Sequence, residues 1–177
     1  NDKFAGLSGL RINPDGSKIG GGDDFGTIDA DALEIRSKYK VSGDLAEIYK
    51  THILKLYPFP EIPNERFCSE GLIWARIAQK YILRYIYKGI YICEYLNDGL
   101  TFNRVEARRK SPEYSIILYS EGVKNSRIGI MERCKYAILY WRYSELSKKT
   151  FIQKLKLVYW WCAFFYPIGI LTRRLNR

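Results

Sequence analysis

The 177-residue chain has one histidine, His52, and four cysteines, Cys68, Cys93, Cys134 and Cys162, none of them in a C-x-x-C pair. A zinc site needs clustered thiolates or imidazoles, so this scatter gives no reason to expect a metal site built from these residues. Isolated cysteines fit a reducing, cytosolic compartment better than a disulfide framework. His52 lies in a Thr-His-Ile context at an expected strand end. A surface or core histidine is its ordinary reading, with catalysis the lesser alternative. No signal-peptide pattern opens the chain. Asn1-Asp2-Lys3 carries no Met and leads straight into the apolar run Phe4 to Leu10, so the chain is expected to begin inside a domain. Acidic residues are few: 19 Asp+Glu stand against 29 Lys+Arg, a net charge of +10.

The excess of positive charge is unevenly placed. Residues 1–100 hold 13 Lys+Arg and 14 Asp+Glu, whereas residues 101–177 hold 16 and 5. A basic second part points to an anionic partner such as phospholipid headgroups, a diphosphate or nucleic acid, with a solvated basic face as the plain alternative. Hydrophobic residues make up 47% and charged residues 27%, a globular rather than disordered balance. The 15 tyrosines and 15% aromatic content suit sugar contacts, membrane interfaces and ordinary cores alike.

Along the chain, Phe4 to Ile12 reads as a strand, Pro14-Asp15-Gly16 as a turn and Lys18-Ile19 as the return. Leu33 to Ile35 and Tyr39 to Val41 read as extended, and Leu45 to Lys50 as a strand. Tyr57-Pro58-Phe59-Pro60 and Ile62-Pro63 form a stiff segment, since proline fixes φ and restrains its predecessor. A helix is predicted from about Ser69-Glu70, because Ile73, Trp74, Ile77, Ala78 and Tyr81 share a helical face. Gly89 to Leu96 alternates like a strand, and Asp98-Gly99 turns the chain. Helices follow Ser111-Pro112, with Met131, Cys134, Ala137, Ile138 and Trp141 on one face. Strands first and helices last predict an α/β fold followed by a helical tail, with domains at 1–122 and 123–177.

An ordered set of motifs runs from Asp44 to Pro112. It comprises Gly43-Asp44, Tyr49-Lys50-Thr51, Tyr57-Pro58-Phe59-Pro60, Glu65-Arg66-Phe67-Cys68-Ser69-Glu70, Trp74-Ala75-Arg76-Ile77-Ala78 and Glu94-Tyr95-Leu96-Asn97-Asp98-Gly99-Leu100-Thr101. Together with Ala5 to Leu10 and Asp15-Gly16, this set resembles the second half of bacterial family 2 glycosyltransferases, over about residues 1–120. The resemblance implies part of a GT-A fold, a Rossmann-like mixed sheet flanked by helices, without the upstream half that binds the sugar nucleotide. It also implies inverting transfer from a nucleotide-diphosphate sugar to a polysaccharide or lipid-linked glycan, with Mg²⁺ or Mn²⁺ held by residues outside this chain.

The same resemblance assigns Glu70 as the catalytic base, with Ser69 standing where the family often has an acid and Arg76 following six residues later. Inversion needs an acceptor-side base to take the hydroxyl proton. The alternative is a helix-start acid with a capping role. Glu94, Tyr95 and Asp98 are candidates for reading acceptor hydroxyls. Asn103, Arg108 and Arg109 are candidates for binding a diphosphate, against the alternative of a solvated basic loop. Asp29-Ala30-Asp31 spells Asp-x-Asp but follows a glycine-rich loop rather than a long apolar strand, so it is rejected as the metal motif. Gly20-Gly21-Gly22 lacks the flanking elements and Lys-Ser/Thr ending of a phosphate loop.

Leu157 to Leu171 is a run of 15 uncharged residues, short of the roughly 20 that a span needs and containing Pro167. It reads as an amphipathic interfacial helix docking on an anionic membrane surface through Lys154, Lys156, Trp160, Trp161, Phe164, Phe165, Arg173 and Arg174. A core helix and a true span are the alternatives. The implied location is peripheral, on the cytoplasmic face of the cell membrane. Nucleic acid fits poorly, because the basic residues flank a lipid-like block rather than form a groove-sized motif. A non-catalytic membrane-surface module is the rival to the enzyme reading.

Overall fold

A computed structural model describes residues 2–20, 22–94 and 103–175. The strands are β1 (Phe4–Ile12), β2 (Lys18–Ile19), β3 (Thr27–Ala30), β4 (Leu45–Tyr49) and β5 (Ile82–Ile92). The helices are α1 (Glu34–Ser37), α2 (Thr51–Lys55), α3 (Gly71–Ile77), α4 (Arg104–Lys110), α5 (Pro112–Lys124), α6 (Ile130–Ser144), α7 (Phe151–Lys156) and α8 (Tyr166–Leu175), with a 3₁₀ segment at Trp160–Phe165. The fold is mixed α/β with an open, mixed sheet. Two compact units divide it: Asn1–Pro58 with Ile73–Gly99, and Phe59–Leu72 with Leu100–Arg177. Residue 122, the boundary read from the sequence, lies inside α5, so composition and compactness divide the chain differently.

The first unit is built on β1. Along one edge β1 pairs in parallel with β5, and β3 closes that side antiparallel to β5. The other edge of β1 is shared by β4, opposite Gly6 to Leu10, and by β2, opposite Arg11 and Ile12. Pro14-Asp15-Gly16 makes the expected turn: Gly16 has φ +84° and its N–H donates to Asn13 O at 2.9 Å. Gly6 is required by close approach, since a Cβ there would lie 1.9 Å from Ile48 O on β4. Buried residues include Ala5, Leu10, Ile35, Leu45, Ile53, Ile73, Ile77, Leu83 and Tyr85.

Several local expectations are corrected here. Residues 34–37 are helical rather than extended, because Asp31 Oδ1 accepts the N–H groups of Leu33 and Glu34 and starts a turn. His52 sits exposed in α2 rather than at a strand end. The strand expected from Gly89 starts at Ile82, where Leu83 and Tyr85 point to the core and Arg84 points out.

The second unit is a helical cluster centred on α6, which packs on α5, α8 and the 3₁₀ segment. Its core joins Ile116, Tyr119 and Val123 of α5 with Ala137, Tyr140, Trp141 and Tyr143 of α6, then Val158 and Cys162. The buried face of α6 therefore centres on Tyr140 and Trp141, and Met131, expected on that face, is exposed. Aromatic polar tips find backbone acceptors: Tyr140 Oη donates to Lys154 O at 2.6 Å, and Trp141 Nε1 to Cys162 O at 2.7 Å. Burial pushes the Cys162 thiol up to about 11, leaving it a poor nucleophile at neutral pH. The single tail helix expected from the sequence is instead α7, the 3₁₀ segment and α8. A capping box of Thr150 and Gln153 opens α7. Among the described residues no helix is long and apolar enough to cross a membrane.

Candidate functional site

Glu70 immediately precedes α3 and is exposed. Among the described residues no hydrogen bond or ion pair to its carboxylate is present, so it is accessible to solvent and to a ligand. Ser69 is half-buried and its carbonyl accepts Leu72 N–H at 3.0 Å, closing the first turn. Arg76 lies half-buried in the last turn of α3.

The segment leading to Glu70 is held firmly within the second unit. Ile62-Pro63-Asn64-Glu65 is a tight turn, with Glu65 N–H donating to Ile62 O at 3.2 Å and Asn64 at φ +66°. Proline followed by an asparagine of positive φ is the pattern of a type II turn. That turn delivers the Glu65 carboxylate to the start of α5, where Oε1 accepts Glu113 N–H at 2.8 Å and Oε2 accepts Tyr114 N–H at 3.0 Å. Ser111, the residue before α5, makes no cap of its own. Its hydroxyl instead accepts Phe67 N–H at 3.1 Å and Arg66 N–H at 3.3 Å. Tyr114 Oη donates to Pro60 O at 2.8 Å and accepts Ile62 N–H at 3.1 Å. The backbone from Pro60 to Phe67 is thus fixed to α5 by polar contacts at both ends.

The other predicted residues divide. Glu94 is exposed, two residues past the end of β5. Tyr95 and Asp98 lie outside the described residues. Asn103 precedes α4, and Arg108 and Arg109 lie in its last turn, so the expected basic loop is a helix. The Arg108 Nε–H is buried with no hydrogen-bond partner among the described residues. Arg109 approaches Glu106 at 3.7 Å. Arg109 also borders a shallow hollow of about 210 Å³, mouth included, with Arg142, Tyr143, Leu146 and Arg173. Three arginines from α4, α6 and α8 meet there, and among the described residues no carboxylate lines it. Arg142 was missed in the sequence because its helical spacing says only that it belongs to α6. Its meeting with Arg109 and Arg173 is a tertiary fact.

Asp29 and Asp31 do not form a divalent-metal site. Asp29 lies on β3, a four-residue strand behind the glycine-rich loop, and both its oxygens accept hydrogen bonds from Arg84 at 2.8 Å. Asp31 is buried and caps α1. Asp31 lies past the end of β3 and is buried whereas Asp29 is exposed, and each carboxylate is committed to a different partner.

The expected membrane residues also separate. Lys154 is corrected outright: it is 7% exposed, and its Nζ pairs with Glu145 at 3.2 Å. Trp161 and Phe165 pack against the core, and the Arg133 guanidinium lies 5.7 Å from the Trp161 ring. Lys156, Trp160, Phe164 and Arg174 are exposed, and Arg173 is half-buried beside the hollow. Compared with protein-family models, with curated proteins and with solved structures, the chain matches none.

Proposed function

We propose that this chain is the acceptor-side part of an inverting family 2 glycosyltransferase, with a partial GT-A fold, acting on a nucleotide-diphosphate sugar and a polysaccharide or polyprenyl-linked glycan. The observation that carries the reading is Glu70, an exposed carboxylate at the end of a stiffly held segment, within the ordered motifs that resemble that family. In the proposed step Glu70 accepts the proton of an acceptor hydroxyl as its oxygen bonds to the anomeric carbon. The bond from that carbon to the nucleotide diphosphate breaks, with inversion. Arg108 and Arg109 supply cationic donors for a diphosphate. Asp29 and Asp31 do not suit the divalent ion that such enzymes use, so no step for this chain runs through it.

The rival, a non-catalytic membrane-surface module, needs no acid at position 70. Glu70→Gln in the protein as encoded separates the two. Sugar transfer, screened over nucleotide-diphosphate donors, should fall by about 10²-fold or more with an unchanged melting temperature. Undiminished transfer by the variant removes Glu70 from the chemistry.

A further inference from the structure

The 3₁₀ segment and α8 grip α6 with one side and leave the other bare. On the gripping side Cys162 is fully buried, its carbonyl holds Trp141, and a Cβ at Gly169 would lie 2.5 Å from Trp141 Cβ. On the bare side stand Trp160, Phe164 and Leu175, at 73%, 74% and 75% exposure, with Ile168 and Leu171 about half exposed between them. Ile168, Leu171 and Leu175, spaced three and four residues apart, share one face of α8, and Trp160 and Phe164 stand on the 3₁₀ segment that leads into it. Trp160 and Phe164 meet edge to face at 6.0 Å, so the aromatic end of this surface is already ordered. Five large apolar side chains facing water on consecutive elements mark an interaction surface.

We infer that this surface is a membrane-docking face that lies flat in the headgroup layer of an anionic bilayer, independently of the chemistry at Glu70. Charge selects this occupant. Exposed Lys156 precedes the 3₁₀ segment and exposed Arg174 lies in the last turn of α8, in a part of the chain with 16 basic and 5 acidic residues. Anionic headgroups complement that setting. A second copy seated face to face would bring two sets of these cations together, at an electrostatic cost. Crossing the bilayer is excluded for α8, whose ten residues reach only about 15 Å against a hydrocarbon core of about 30 Å. The docking face keeps Lys156, Trp160, Phe164 and Arg174 of the residues read from the sequence, but Lys154, Trp161 and Phe165 face inward, and Ile168, Leu171 and Leu175 join it.

Vesicle flotation tests this. The protein should float with vesicles of phosphatidylglycerol and phosphatidylcholine and bind pure phosphatidylcholine far more weakly. Trp160→Ser with Phe164→Ser, at side chains that contribute little to the core, should lower binding more than about tenfold with an unchanged melting temperature. Lys156→Gln with Arg174→Gln should cost about fivefold for each cation removed, on anionic vesicles only. Undiminished binding by the Trp160/Phe164 variant, or no flotation of the wild type with either vesicle, overturns the proposal. So does a wild-type dimer in solution that this variant breaks, since a second copy would then be the occupant.

Discussion

Glu65 and Tyr114 hold each other across 49 residues of sequence: the Tyr114 N–H donates to Glu65 Oε2 at 3.0 Å, while the Tyr114 hydroxyl grips the backbone just upstream of Glu65, donating to Pro60 O. Helix α5 is therefore capped by a side chain from a distant loop, and the loop is ordered by the helix it caps. A carboxylate at a helix N-terminus satisfies orphan N–H groups and favours the positive end of the helix dipole. Glu65→Ala should cost about 1–2 kcal/mol in chemical denaturation. Glu65→Gln, which keeps an acceptor but loses the charge, should cost about 0.5 kcal/mol. Equal stability of Glu65→Ala and wild type would show that the cap contributes nothing.

Glu113 makes acid a destabilising condition for the second unit. Burial raises its pKa, but hydrogen bonds from Lys149 Nζ and Ser147 Oγ, with the charge of Lys149, outweigh burial and hold it below the usual carboxylate range. A carboxylate depressed in the folded state stabilises fully above its unfolded pKa, and that contribution fades as pH falls through the folded value. Wild type should therefore lose stability relative to Glu113→Gln as pH drops below about 4. Denaturation midpoints of the two proteins that stay parallel from neutral to acid would contradict this.

Gly169 occupies a place where the ordinary helix rule reverses. Replacing a helical glycine by alanine usually gains about 1 kcal/mol. Here the added Cβ would meet Trp141 Cβ at 2.5 Å, Ile138 O at 2.9 Å and Arg142 N at 3.1 Å. Overpacking of this kind costs about 1–3 kcal/mol, so Gly169→Ala should destabilise and shift the emission of Trp141. A stabilised variant would mean that α8 moves away from α6 at little cost.

Asp29 should be nearly silent. Its pair with Arg84 is exposed on both sides, and solvent screening leaves such pairs little net effect on stability. Asp29→Asn should leave the melting temperature within a degree or two and the protein's response to added Mg²⁺ unchanged. A Mg²⁺-dependent stabilisation of wild type that vanishes in Asp29→Asn would make Asp29 a metal ligand after all.

Legibility varied by element. β1, its proline-glycine turn, β2 and β4 were readable, since each rests on local alternation or turn chemistry. α5 was readable as a helix following Ser111-Pro112 and α6 from its apolar spacing, although the buried face of α6 turned toward Tyr140 once partners were present. β3 was missed because four residues behind a glycine-rich loop carry almost no periodic signal, and pairing with β5 supplies the order. The start of β5 was missed because Tyr81 also fits the helical spacing of α3. The position of Glu70 just before a helix was legible. Glu65 as the cap of α5 was not, because no local rule joins residues 48 apart.

The sequence by itself determined the succession of strands and helices, the basic second part, the stiff proline segment and an acid standing just before a helix, because these rest on contacts between near neighbours or on composition. Only the tertiary structure decided which tail residues face water, that Lys154 is buried against Glu145, and that Arg109, Arg142 and Arg173 share one hollow. Those outcomes depend on which helix faces pack together, and packing is settled by the whole set of buried side chains at once.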